Sequence, residues 1–72
     1  MKRYLSLYGP NTHQLWLYDE EKDVYIDPPL HILYELDKME DIETAQKRLE
    51  EIANNDEPDW LHDGNEYHEL EP

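Results

Sequence analysis

The sequence predicts an α+β domain: a small antiparallel sheet of three or four strands, then one short and one longer helix, then an acidic C-terminal tail. Three observations carry that expectation. Apolar residues alternate with period two through the first 27 residues, which is strand spacing. Asp27-Pro28-Pro29 interrupts the alternation. Beyond it, apolar residues recur every three or four positions, which is helical spacing. The chain is expected to form a single domain over residues 1–72, with strands in 1–27, helices in 29–55 and the tail in 56–72.

Tyr4-Leu5-Ser6-Leu7-Tyr8 forms the first predicted strand and stops at Gly9-Pro10-Asn11, a turn cluster. Gln14-Leu15-Trp16-Leu17-Tyr18 is the second. Asp19 to Lys22 make a polar tip, and Val24-Tyr25-Ile26 is a third strand that pairs with the second as a hairpin. Reading the alternation in phase puts Leu5, Leu7, Leu15, Leu17, Val24 and Ile26 on one aliphatic face. Tyr4, Tyr8, Trp16, Tyr18 and Tyr25 then share the other. Proline suits a first helical turn, so a short helix is expected from about Pro29 to Leu36. Asp37 reads as the N-cap of a second helix, with Glu40 three residues on in capping-box position. That helix is expected over Lys38 to Asn54, with Ile42, Ala45, Leu49, Ile52 and Ala53 on one stripe. Asn54-Asn55 and Pro58 stop it. Glu66 to Leu70 could add an edge strand, or the tail, with many charges and few apolar residues, could equally be partly disordered.

Charge dominates the composition. Nineteen Asp and Glu face six Lys and Arg, a formal net charge of −13 in 72 residues. The imbalance grows along the chain: +2 over residues 1–18, −6 over 19–48 and −9 over 49–72. Such a charge repels itself and weakens the compact state, so it calls for an explanation beyond fold. It disfavours direct contact with a nucleic-acid backbone, which needs a basic footprint. Anionic membranes are disfavoured for the same reason. No apolar run reaches the length of a membrane span, and the start has no secretory pattern, so a cytoplasmic protein is expected. The chain has no cysteine, and therefore no disulfide or thiolate metal site. For so short a domain, a homodimer is one way to enlarge the core.

No catalytic constellation emerges. The hydroxyl candidates are Ser6, Thr12 and Thr44, none beside an elbow or glycine-rich loop. Gly9 and Gly64 are the only glycines, too few for a phosphate-cradling loop. A non-enzyme without cofactor is the expectation. The segment Asp59 to Leu70 partly matches a calcium loop, but Leu61 and Leu70 occupy positions that need oxygen ligands. His62 and His68 stand among acids without the spacing of a zinc site, so no metal is expected.

Two surfaces remain as candidates. The aromatic face, with Tyr4, Trp16, Tyr18 and Tyr25, either finishes the domain or forms a dimer or partner surface, since such rings bury area and keep a polar handle. The carboxylates form the second. Asp19, Glu20, Glu21 and Asp23 crowd the hairpin tip. Glu40, Glu43, Glu50 and Glu51 are expected as a ridge on the second helix, where Glu43 and Lys47 can pair. Asp56, Glu57, Asp59 and Asp63 continue into the tail.

In Asp19-Glu20-Glu21, the run from Glu40 to Glu51 and the acidic tail, the chain resembles the small phage-encoded DNA-mimic inhibitors. The likeness is one of size and acidity over residues 19–72. It implies a partner that is a basic DNA-binding protein of the host bacterium, held through the surface it uses for DNA. Proteins of this class block restriction enzymes, CRISPR effectors, uracil-DNA glycosylase, RNA polymerase or nucleoid proteins, and the nucleoid protein HU is the leading target expected here. The physical logic is substitution: fixed carboxylates stand where a duplex presents phosphates, on a scaffold already ordered. An antitoxin or immunity protein that covers a basic toxin or nuclease is the alternative.

Overall fold

Two hairpins organise the N-terminal half, and the same backbone hydrogen bond closes both. In the computed structural model, which describes residues 2–9, 13–62 and 66–67, strands β1 (Tyr4–Gly9), β2 (Gln14–Asp19) and β3 (Val24–Ile26) follow one another. The His13 N–H donates to the Gly9 carbonyl at 2.8 Å, and the Asp23 N–H donates to the Asp19 carbonyl at 2.8 Å. His13 and Asp23, the last loop residues, sit at φ 55° and 56°. Asp and His tolerate this left-handed region better than most residues. Strand β4 (Glu66–Tyr67) pairs with β3, giving a four-stranded antiparallel sheet in the order β1-β2-β3-β4. It occupies the start of the predicted edge strand; residues 68–70 of that expectation lie outside the described residues.

The pairing register corrects the predicted phase of β1. Tyr4 lies opposite Asp19, Ser6 opposite Leu17 and Leu7 opposite Trp16. Tyr4 and Ser6 therefore share the helix-covered face with Leu15, Leu17, Val24 and Ile26. Leu5 and Leu7 join Trp16, Tyr18 and Tyr25 on the other face. β1 alternates Tyr-Leu-Ser-Leu-Tyr, so apolar residues occupy both phases and its pattern alone cannot choose. Packing chooses the phase that buries Tyr4, which is 2% exposed with the Arg3 guanidinium 5.1 Å from its ring centroid.

Helix α1 (Leu30–Asp37) starts one residue later than predicted, with the Pro29 carbonyl accepting from Ile32 and Leu33. Helix α2 (Ile42–Glu51) corrects the predicted cap. Asp37 ends α1, and the cap is Asp41, whose Oδ1 accepts from the Thr44 N–H at 2.7 Å. Both aspartates fit an N-cap. The chain uses the second because Leu36 must stay in α1 to reach the core, and Met39 N–H closes on the Leu36 carbonyl. Residues Ile52–Asp56 continue α2 as wide π-type turns, Glu57 reverses the chain at φ 43°, and a 3₁₀ turn follows at Asp59–His62. The core joins Tyr4, Leu15, Leu17 and Ile26 to Leu36, Ala45, Leu49, Ala53 and Leu61. Ile42, the first residue of the predicted stripe, is 49% exposed instead.

β1 is an edge strand, and α2 covers its edge with two side chains. The Asn54 amide bonds the Tyr4 backbone twice: Oδ1 accepts from Tyr4 N–H and Nδ2 donates to the Tyr4 carbonyl, both at 3.0 Å. Glu50, one turn earlier, accepts from the Ser6 N–H at 3.1 Å. Unpaired strand edges invite pairing with other chains, so this clamp satisfies backbone groups and removes a hazard together.

Two stability outcomes follow from these contacts. Asn54→Ala should lower unfolding stability in urea by about 2 kcal/mol, the cost of orphaning edge groups. Asn54→Asp should cost more, because it sets a carboxylate against the Tyr4 carbonyl. Ser6 is buried with its Oγ unpartnered. Ser6→Ala should therefore be neutral or stabilise by up to about 1 kcal/mol in the same assay.

Candidate binding surface

The carboxylates divide into those that hold the fold and those that do not. Asp19 belongs to the first group, which corrects its expected place on the partner surface. It is 1% exposed, and its oxygens accept from Arg3 Nε at 2.9 Å, Arg3 Nη2 at 3.0 Å and the backbone N–H groups of Glu21 and Lys22. Burial alone would raise the Asp19 carboxyl, but the guanidinium and the two N–H donors prevail and lower it below the usual carboxylate range. The hydrogen bond to Asp19 likewise raises Arg3. Asp19 thus ties the start of β1 to the tip of the β2–β3 hairpin.

Glu50 is the second correction. It points at the sheet rather than along an outer ridge, gripping Ser6 N–H and, at 2.9 Å, the Lys2 ammonium. Burial works to raise it, and Lys2 with the Ser6 N–H lowers it. Glu51 pairs with Arg48 at 3.5 Å, and Glu40 precedes α2 altogether. Of the predicted helix ridge, only Glu43 stays on α2 without an ion-pair partner among the described residues.

Sixteen of the acids lie in the described residues, and five of them are in ion pairs: Asp19, Glu21, Glu50, Glu51 and Glu66. Asp23 accepts from the Tyr18 hydroxyl, Asp27 from Gln14 Nε2 and Asp41 from Thr44 N–H, so these three meet only uncharged donors. The Asp23 hydrogen bond pushes the Tyr18 phenol up to about 12. The remaining acids group by position. Glu35, Asp37, Glu40 and Glu43 are exposed around the α1–α2 corner, beside Asp41. Glu20 stands at the hairpin tip with Glu21 and Asp23, while Asp56, Glu57 and Asp59 follow α2. Asp63 lies outside the described residues.

These groups occupy opposite ends of the molecule. Glu50 and Asn54, late in α2, grip the start of β1, so α2 runs back along the sheet antiparallel to β1. Its ten residues span roughly 15 Å. The hairpin tip and the turn at Glu57 are together at one end, because Tyr4 lies opposite Asp19 in the sheet and is held by Asn54, three residues before Glu57. The α1–α2 corner is at the other. Of the six cations, Lys2, Arg3, Lys22 and Arg48 are in ion pairs, while Lys38 follows α1 at the corner and Lys47 on α2 acts on Asp41, so the corner acids still outnumber the cations beside them.

The aromatic face is largely closed. Tyr4 is in the core on the opposite side of the sheet. Trp16 is 5% exposed, with the Tyr67 ring edge-on at 5.7 Å. Tyr18 and Tyr25 are half-buried and pack on each other at 5.1 Å. Of the two readings of this face, the burial of Trp16 favours the one in which the rings finish the sheet, and Tyr4 leaves the face for the core. Among the described residues no group of three or more His, Asp or Glu side chains is arranged to hold a metal ion. No helix among them is long and apolar enough to cross a membrane.

The structure adds a feature that sequence reasoning missed. Leu30, Tyr34, Ile42 and Tyr8 stay exposed around an open cleft of about 370 Å³ between α1, the start of α2 and the end of the β1–β2 hairpin. A signal was present. Five of the eight α1 residues, Leu30, Ile32, Leu33, Tyr34 and Leu36, are large and apolar, more than one buried stripe can take.

The acid limb of stability reads out Asp19 and Glu50. Their carboxyls are lowered in the fold, so their contribution is present at neutral pH and is lost as pH falls from the ordinary carboxylate range through the depressed values. Asp19→Asn should lower stability at pH 7 by about 2 kcal/mol and make the acid limb shallower, measured by urea unfolding across pH.

Comparison with protein-family models, curated proteins and solved structures returned no match, so the functional reading rests on the charge and geometry above.

Proposed function

We propose that this protein is an acidic binding protein that occupies the DNA-binding surface of a basic protein and displaces DNA from it. One observation carries this reading: of the sixteen described carboxylates only five are in ion pairs, and eight have neither an ion pair nor a hydrogen bond among the described residues and lie toward the two ends of the fold. A fold that needed acids only for its own ion pairs would not retain the rest, since each adds self-repulsion. Glu57 supports the same view. It sits at φ 43°, where glycine is cheaper, yet the position holds a carboxylate.

Negative charge held in place attracts a cationic groove over long range and raises the on-rate. The partner's Lys and Arg would meet carboxylates where they otherwise meet phosphates. Glu20, Glu35, Asp37, Glu40, Glu43, Asp56, Glu57 and Asp59 are the acids assigned to that contact. Asp19 and Glu50 are assigned to the fold. Among basic proteins, HU is the first target to test, because it grips DNA through cationic arms without a strong sequence code.

The test is displacement of a labelled duplex from HU, followed by fluorescence anisotropy at low and at physiological salt. The protein should release the duplex, with an apparent affinity that falls steeply as salt rises. Glu20→Gln, Glu35→Gln, Glu40→Gln and Glu43→Gln together should weaken it about tenfold or more, while Glu51→Gln should leave it nearly unchanged. Displacement that ignores salt and survives the four substitutions would count against the reading.

A further inference from the structure

The apolar cleft at the α1–α2 corner is the feature that the carboxylates do not explain. Among the described residues five large hydrophobic side chains are exposed, and four of them, Tyr8, Leu30, Tyr34 and Ile42, line this one cleft. Leu30 and Tyr34 are 66% and 65% exposed, one helical turn apart on α1. Its floor is apolar too, with Leu15, Leu33 and Met39. At about 370 Å³ it has room for one or two large side chains. A protein already carrying so much charge gains nothing in solubility from hiding these groups, but a recognition surface needs an apolar centre.

We infer that this cleft docks a cationic segment of a protein partner, one that carries apolar anchor side chains flanked by Lys or Arg. Charge complementarity selects that occupant. Asp37, Glu40 and Asp41 line the cleft beside the hydrophobic groups, and among the described residues no Lys or Arg lines it, Lys38 being the one cation adjacent in sequence to the lining residues. A second copy of the chain would bring another net −13 against the same rim. A nucleic acid would bring phosphates and no apolar anchor. A basic segment with Leu, Ile or aromatic anchors satisfies both parts of the site, in the manner of an amphipathic helix laid into a groove. The inference rests on the proposal of a basic partner and deepens it: the acidic ends attract many cationic surfaces, and the cleft decides which of them is held.

The experiment uses the full chain and three labelled peptides of about fourteen residues, roughly four helical turns. One alternates Leu and Lys at helical spacing, one replaces every Leu by Ser at the same charge, and one replaces every Lys by Ser. Binding is followed by anisotropy, and the contact is located by amide chemical-shift changes. The Leu/Lys peptide should bind about tenfold or more tighter than the Lys/Ser peptide, and shift α1 and the start of α2. Leu30→Ser with Tyr34→Ser should abolish that advantage and leave Lys/Ser binding unchanged. Both side chains are exposed, so the fold should survive, which circular dichroism checks. Equal binding of the Leu/Lys and Lys/Ser peptides, unaffected by the double variant, would overturn the cleft and leave the acidic surface standing. Failure of every cationic peptide to bind would overturn the basic partner as well. A Leu/Ser peptide that binds as tightly as Leu/Lys would overturn the role of charge at the rim. Self-association that the double variant abolishes would give the cleft to a second copy and overturn the assignment.

Discussion

Asn54 and Glu50 act on the sheet like an extra strand made of side chains. The Asn54 amide offers one acceptor and one donor to the Tyr4 peptide groups, and its Nδ2 also donates to the Glu50 carbonyl at 2.8 Å, which fixes its orientation. Glu50 bridges Ser6 N–H and Lys2 in the same row. Every other placement depends on this row. It fixes the direction of α2 along β1, lays Ala45, Leu49 and Ala53 over Tyr4, Leu17 and Ile26, and leaves the start of α2 free to open the cleft with α1. It also makes the end of α2 the place where a carboxylate is structural, so that surface acidity is displaced to the corner before α2 and the turn after it.

That division explains how a small domain tolerates its charge. Three of the six cations, Lys2, Arg3 and Lys22, neutralise acids that anchor the N-terminus, the hairpin tip and the edge strand β4, and a fourth, Arg48, pairs with Glu51 within α2. Lys2 and Arg3, two residues before the first strand, reach α2 and the β2–β3 tip respectively. Coulomb attraction is strongest between Arg3 and Asp19, where the Asp19 side chain is 1% exposed and the effective dielectric is low, while the other pairs are more solvated. The remaining carboxylates are solvated, and mobile ions screen much of their mutual repulsion. An exposed carboxylate array beside an exposed apolar cleft is then a pairing of two features that each weaken the isolated chain, and the cationic, apolar-anchored partner proposed above would relieve both.

The fold was largely legible in the sequence, and the site only in part. Alternation found β1, β2 and β3, and helical spacing found the Ala45-Leu49-Ile52-Ala53 stripe, because each is a local pattern set by one buried face. The phase of β1 was not legible: Leu5 and Leu7 look like core until Tyr4 is seen packing against α2 and Arg3. The second cap was a choice between two aspartates that only the reach of Leu36 decides. For the acids, residue type gave the charge but not its use. Nothing local distinguishes Glu50, whose partners are 44 and 48 residues away, from Glu43. Asp19 reads as one more tip acid until Arg3 is brought against it.

The central claim is that the unpaired carboxylates exist to hold a cationic DNA-binding protein. The most direct measurement is capture from bacterial lysate on the immobilised chain, with elution by salt or by duplex DNA and identification of what is released. The expected result is a short set of basic DNA-binding proteins, released by duplex DNA and by salt alike. Capture of neutral or acidic proteins that neither DNA nor salt removes would contradict it.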